Sequence, residues 1–340
     1  KPGEGEKKSQ IVIDYPGIAF LAIGVGSLQY VLERGEAEDW YASDTIRILT
    51  VTAFIGLVLF VWRELTTAFP AVKLAILKNR TQAVTNVFVF VLGIGLFTSV
   101  YIFPVLVQRI NGFTPLETGL SILLPTLVGV FMFPLIGRAM GAGVSPIPFI
   151  IIGTVMFVTF GFMGSTMNGE ASRSDFFYVL VLRTFGISLV QLPLINQAVQ
   201  GLNPRDYPAA IGLNNMIRQL GGAFGIALAN NYVASHYAQH RADLISNVYQ
   251  SNPLVAERLT NLTNNFVAKS GDALSAATQA TTILNMNVDK QAYLMSYLDV
   301  FKLISYFFIA TIPLIFLLPR KKKASAEDLR LAKAAIEESH

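Results

Sequence analysis

The sequence predicts an all-α integral membrane protein with eight transmembrane helices, and three observations carry that reading. Its 340 residues are 53% hydrophobic and only 14% charged, where a soluble chain carries roughly 25% charged residues. Mean hydropathy is +0.51. Eight stretches, near residues 16–33, 46–62, 83–107, 115–137, 147–163, 176–200, 209–233 and 296–319, approach or exceed the 20 or so apolar residues that a helix needs to cross a bilayer core of about 30 Å.

Each element has a local reason. Pro104, Pro125, Pro134 and Pro193 fall inside predicted helices, which is tolerated in a bilayer where neighbouring helices re-satisfy the freed carbonyls. Orientation follows the distribution of lysine and arginine. With the first segment leaving the cytoplasm, the inner loops hold Lys1, Lys7, Lys8, Arg63, Lys73, Lys78, Arg80, Arg138, Arg205 and the basic residues from Arg320 to Lys333. The short outer loops hold only Arg34, Arg47, Arg109 and Arg173. Both ends of the chain are thus expected in the cytoplasm, with the bilayer as the first partner. The net charge of +4 gathers in these inner loops, so no nucleic-acid surface is implied.

The stretch 234–295 reads as a long outer loop, and its polar helical periodicity predicts two or three helices lying on the outer face. Residues 1–15 read as a cytoplasmic linker without a signal-peptide core; with no initiator Met, the chain is expected to be a piece of a longer polypeptide. Residues 320–340 read as a stop-transfer cluster followed by a short cytoplasmic helix.

Chemistry-bearing residues concentrate around Pro193 to Tyr232. Asn214, Asn215, Arg218 and Gln219 lie on consecutive turns of an otherwise apolar helix, where a cation costs about 2.5–3.5 kcal/mol on insertion scales. They read as the lining of a substrate path, or Arg218 snorkels to the interface and pins its helix to a neighbour. Gly221, Gly222 and Gly225 follow, a spacing that lets a second helix approach at backbone distance. Arg183, Gln191, Asn196 and Gln197 share the preceding segment, as path residues or as interhelical hydrogen-bonding groups. Tyr101, with Phe103 and Phe131, reads as a cavity wall or as ordinary helix surface. His236 and His240 share a helix face but lack a third ligand, which favours a solvated face over a metal site. Cysteine is absent, which excludes disulfides and thiolate zinc sites. No Walker loop, HExxH or GxSxG pattern occurs, so no cofactor, metal or catalytic residue is assigned and ATP-driven transport is not expected.

Four strings bear a family resemblance: GVGSLQYVLERGEAEDWYASDTIRILT (Gly24 to Thr50), WREL with FPAVKLAILKNR (Trp62 to Arg80), NGFTPLETGLSILLPTLVGVFMFPLIGR (Asn111 to Arg138) and GLNPRDYPAAIGLNNMIRQLGGAFGIAL (Gly201 to Leu228). They resemble the fourteen-helix drug–proton antiporters of the EmrB/QacA branch of the major facilitator superfamily, in order and over nearly the whole chain. The resemblance implies a central helix pair with its cytoplasmic loop (16–82) and the C-terminal six-helix bundle (83–319), the family's helices seven to fourteen. It implies proton-coupled export of a hydrophobic small molecule by alternating access, in a bacterial inner membrane. The N-terminal half, which carries the family's membrane-embedded acid, becomes the expected partner, and a periplasmic adaptor protein a further one. Lys73 departs from the family's usual acidic residue, and no acid lies deep in any segment, so the proton carrier is not assigned to this chain. Two rival classes remain: an assembly subunit of an efflux complex, which needs no buried polar cluster, and a lipid-modifying enzyme, which needs an acid–base or metal constellation.

Overall fold

The computed structural model describes residues 14–67, 74–203, 206–248, 252–270 and 272–318. Helices order all of its long segments, and no strand occurs among the described residues. The linker lysines Lys1, Lys7 and Lys8, together with Lys73, Arg205 and the C-terminal tail, to which roles were assigned above, lie outside them.

Helix α1 (Tyr15–Arg34) begins where the Asp14 carboxylate accepts the Gly17 N–H at 3.2 Å, a cap for one of the free first-turn donors. It turns back through Asp39 and Trp40, both in the left-handed region, into α2 (Asp44–Thr66). The two helices touch at backbone distance: a Cβ on Gly24 would stand 2.8 Å from the Leu57 nitrogen. Arg63 near the end of α2 donates to the buried Asp14 at 3.1–3.2 Å, closing the open end of the hairpin and holding the Asp14 carboxyl below its ordinary pKa.

A short 3₁₀ turn (Leu74–Lys78) leads into α3 (Arg80–Arg109), followed by α4 (Pro115–Gly141), α5 (Pro146–Gly164) and α6 (Arg173–Val199). Starts are written in the sequence. Asn79 accepts from the Thr81 N–H, Thr114 and Glu117 form a capping box, and the Asp175 carboxylate accepts the Ser172 N–H, each satisfying orphan donors of a first turn. Pro104, Pro125, Pro134 and Pro193 all lie within helices, as expected for bilayer spans. Then come α7 (Tyr207–Ser246), α8 (Pro253–Ser270) and α9 (Ala273–Ile315).

Helices α3 to α7 and α9 form a six-helix bundle; α1 and α2 pack on each other and reach it through α1 against α7. Around the bundle the neighbours run α4, α6, α5, α9, α7, α3, and α3 also touches α6 and α9. Buried side chains cluster along α3, where Gly95 lies beneath the Phe157 and Phe308 rings, stacked with centroids 4.1 Å apart.

The tightest seam joins α3 to α7. Phe90 faces Gly221 and Ile94 faces Gly225, so the two helices run parallel. A Cβ on Gly221 would stand 2.1 Å from the Phe90 carbonyl oxygen, and one on Gly93 2.1 Å from that of Arg218. Lipid supplies no hydrophobic drive for helix association, so close packing of small residues does that work.

One expectation, the count of eight spans, is matched only in part, and a second is revised. Seven helices among the described residues are long and apolar enough to cross a membrane. The expected span 209–233 lies inside α7, which is not among them; Asn214, Asn215, Arg218, Gln219, Asn230 and Asn231 lower its hydropathy. The stretch 234–295 is not a separate set of helices lying flat. The backbone of α7 runs on to Ser246, and α9 starts at Ala273 and continues unbroken into the last span. At 1.5 Å per residue their 40 and 43 residues extend about 60 and 65 Å, twice a bilayer core. Helical hydrogen bonding continues because neither extension holds an interior glycine or proline, and cross-links tie the two together. Arg241 donates to Asp289 at 2.6 Å and to Asn285 at 2.9 Å, and the Tyr237 and Tyr293 rings stack at 4.1 Å. Only α8 is a separate helix, and it packs on α9.

Replacing Gly221 by Val is expected to lower thermal stability in detergent by about 1–3 kcal/mol or more through overpacking. Gly212→Ala, where nothing lies within 4 Å, serves as the neutral control. Because the chain contains no cysteine, single cysteines report which side each end of α7 occupies. Ser246→Cys is expected to react with a membrane-impermeant maleimide from outside, and Leu202→Cys only after the membrane is opened. Labelling of both from one side would mean that α7 does not cross.

Candidate substrate path

The polar groups singled out by sequence occupy four places along the bundle, whose ends are called inner and outer after the charge bias. On α7, Asn214 is buried, and its Nδ2 has no hydrogen-bond partner among the described residues. Asn215 and Gln219 are exposed, while the half-buried Arg218 donates from Nη2 to Asn215 Oδ1 at 3.0 Å and leaves Nε without a partner among the described residues. Gly221, Gly222 and Gly225 lie on the α3 side of the same helix, against Phe90, Phe97 and Ile94.

At the inner end, Asn196 and Gln197 line a cleft of about 440 Å³ between the α4–α5 junction and the start of α7, with Gly137, Met140, Tyr207 and others. Asn196 donates to its own helix at Leu192 O. Gln197 is 0% exposed, and neither polar atom of its side chain finds a partner among the described residues. It packs beside two groups that the sequence reading missed. Gln82 donates to the Gln197 and Gln200 carbonyls at 3.3 Å each, and Asn86 donates to the Gln82 carbonyl at 2.8 Å. Both are buried. Their i, i+4 spacing places them on one face of α3, a signal that was available but stood at the edge of a predicted span.

Midway along α6, Arg183 and Gln191 line a cleft of about 210 Å³ against α4, with Gly129, Val130, Phe133 and Ser188. Arg183 is 6% exposed, and its Nε and Nη1 are unpartnered among the described residues. Tyr101 lies elsewhere, in an outer pocket of about 350 Å³ with Glu36, Arg109, Tyr237, Tyr293 and Tyr297. There Arg109 sits 3.9 Å over the Tyr293 ring centroid and donates to the Tyr297 hydroxyl at 3.3 Å. The proposed aromatic wall does not form: Phe103 is buried edge-on against Phe176 at 5.4 Å, and Phe131 is 77% exposed.

His236 and His240 are not a solvated face. His236 stacks on Tyr232 with centroids 3.7 Å apart, and His240 Nε2 lies 2.9 Å from Asp299, which also accepts from Lys302 at 2.9 Å. Antiparallel packing of α7 on α9 brings His240 and Asp299 together, which spacing along one helix could not reveal. No grouping of three or more His, Cys, Asp or Glu suited to a metal ion occurs among the described residues.

A bundle of six helices, five of them long and apolar enough to cross a membrane, with a side pair, clefts at both ends and buried polar groups between them has a counterpart among known families. The profile of the Major Facilitator Superfamily matches residues 17–226, more than half of the chain. The chain belongs to the major facilitator superfamily. Within that family it is similar to the Multidrug export protein EmrB of Escherichia coli K12, 28% identical over 242 residues, covering 71% of this chain and 47% of that protein. It is similar to the Fatty acid resistance protein FarB of Neisseria gonorrhoeae, 25% identical over 310 residues, covering 89% of this chain and 58% of that one. An uncharacterized MFS-type transporter of Bacillus subtilis, YhcA, is 23% identical over 335 residues, covering 96% and 62%. The chain thus spans about half the length of the curated relatives it matches. The matched stretch takes in both helices of the side pair and most of the bundle, so the clefts belong to a major facilitator fold.

The two inner amides separate packing from function. Gln82→Leu is expected to lose about 1 kcal/mol or more of thermal stability, because it removes two hydrogen bonds to carbonyls at the end of α6, those of Gln197 and Gln200. Gln197→Leu is expected to be neutral or stabilising, since it removes two buried polar atoms that have no partner among the described residues. Thermal unfolding of both variants in detergent checks the contrast.

Proposed function

We propose that this chain is the C-terminal part of a proton-driven exporter of hydrophobic compounds in a bacterial inner membrane. The observation that carries this reading is one major facilitator bundle with clefts at its inner and outer ends and buried, unpartnered polar groups on α6 and α7 between them. Drug export agrees with the printed names of the relatives. In this reading α7 is the eighth span, both ends of the chain are cytoplasmic, and residues 83–319 are one wall of a path whose other wall is the N-terminal half. Substrate passes as the two halves rock about a midplane site.

The chain's own residues set limits on proton coupling. Asp14 and Glu64 are buried at the inner end of the side pair, where Asp14 is held by Arg63. Asp299 is bonded to His240 and Lys302 near the outer end. No Asp or Glu side chain lies in the middle of α3, α4, α5, α6 or α7, so the proton carrier is assigned to the N-terminal half. The paired extensions of α7 and α9, with α8 packed on them, offer a rigid outer surface on which a periplasmic adaptor protein would dock.

Arg218→Ala tests the α7 cluster in the full-length protein. Export of a fluorescent hydrophobic dye from energised cells is expected to fall at least about tenfold, the loss of one charge-assisted interaction, with membrane insertion and protein level unchanged. Normal export at normal expression would leave Arg218 as an interface anchor only.

A further inference from the structure

The α4–α6 cleft holds a charge that no acidic side chain balances among the described residues. Arg183 is 6% exposed, and its Nε and Nη1 have neither solvent nor partner among the described residues. The acids on its own and the facing helix are far away and already bonded. Asp175 lies two turns toward the outer end of α6, about 12 Å along the axis, and holds Ser172; Glu117 at the start of α4 holds Thr114 and Arg173. Helices α3 and α5 carry no acidic residue at all. A guanidinium at this depth is costly unless it is paired.

The cleft beside it has the shape of a head-group site. Ser188 and Gln191 line it with Arg183, and neither side chain has a hydrogen-bond partner among the described residues. A serine hydroxyl and a glutamine amide both donate, so three donors without acceptors converge on one cleft. Gly129 brings α4 close to this wall: a Cβ there would stand 2.8 Å from Thr184 Cγ2 and 3.4 Å from Ser188 Oγ. The remaining walls are apolar, with Val130 and Phe133 on α4 and Ile187 on α6. A bare anion does not partition to this depth. A molecule that carries its charge on an apolar body does.

We propose that the α4–α6 cleft is the head-group subsite for a carboxylate-bearing amphiphile, whose oxygens pair with the Arg183 guanidinium and accept from Ser188 and Gln191. The apolar body lies along Val130, Phe133 and Ile187. A planar guanidinium matches a carboxylate in two-pronged geometry, and occupancy removes the buried, unbalanced charge. This names a substrate class for the proposed exporter and rests on that reading only for transport; binding is measured independently of it.

The test uses the full-length purified protein, with a dansylated undecanoate as the anionic probe and the same body ending in trimethylammonium as the cationic one. Wild type is expected to bind the carboxylate probe, with Arg183→Gln weakening it about tenfold or more, Arg183→Lys retaining part of it, and the cationic probe changing less than about twofold. The carboxylate probe is expected to raise the thermal midpoint of wild type but not of Arg183→Gln, whose ligand-free midpoint equals or exceeds that of wild type. A Ser188→Ala, Gln191→Leu double variant, which keeps the cation, is expected to weaken the carboxylate probe about fivefold or more. Equal carboxylate binding by wild type and both variants overturns the subsite. So does a ligand-free collapse of Arg183→Gln with loss of both probes, which would show that an acidic side chain elsewhere in the transporter holds Arg183. Failure of wild type to move any probe across proteoliposomes would remove the exporter reading while leaving Arg183-dependent binding intact.

Discussion

The structure depends first on how closely α3 and α7 approach. At Gly93, Gly221 and Gly225 the two backbones meet with no room for a side chain, and carbonyls of one helix lie against glycine Cα groups of the other. In a bilayer this contact substitutes for the burial that drives soluble folds, since apolar surface is equally at ease against lipid. It sets the register of two parallel helices and so the level of Gln82, Asn86, Asn214 and Arg218 relative to one another. With α7 seated on α3, α9 closes against both, and its outer half is carried beyond the bundle alongside the α7 extension.

Polar groups in the bundle fall into two kinds. Those at the outer end are satisfied by one another: Arg109 with Tyr293 and Tyr297, Arg241 with Asp289 and Asn285, and His240 and Lys302 with Asp299. They tie α3, α7 and α9 together and need nothing further. Those within the bundle are different. Gln197, Asn214 and Arg183 are buried with atoms that find no partner among the described residues. Buried polar atoms in native proteins are overwhelmingly paired, so unpaired ones mark surfaces that complete themselves with something else. For a chain about half as long as its relatives, that complement is the other half of the protein, a ligand, or both.

The polar groups singled out along the bundle do not form one cluster. The outer pocket around Tyr101, the α4–α6 cleft and the inner cleft at Asn196 and Gln197 lie at three levels of one bundle, because α3, α4, α6 and α7 contribute their polar residues at different heights.

Much of the architecture was legible in the residues alone. Apolar length and the glycines of α7 are read from short stretches of sequence, and they reappear as seven of the expected apolar spans and as the α3–α7 seam. The family was likewise readable from strings such as Asn111 to Arg138. What the sequence could not decide was anything set between segments far apart in the chain. The stretch 234–295 reads as an outer loop of two or three separate helices because it is polar, whereas α7 and α9 continue into it and are paired there through Arg241 and Asp289. His240 looked solvated because its partner, Asp299, stands 59 residues away. Arg183 looked like one more polar residue on a long helix. Only the packing of α4 on α6 shows it buried, unbalanced and beside an open cleft, because burial and partnership are properties of the assembled bundle and not of any one helix.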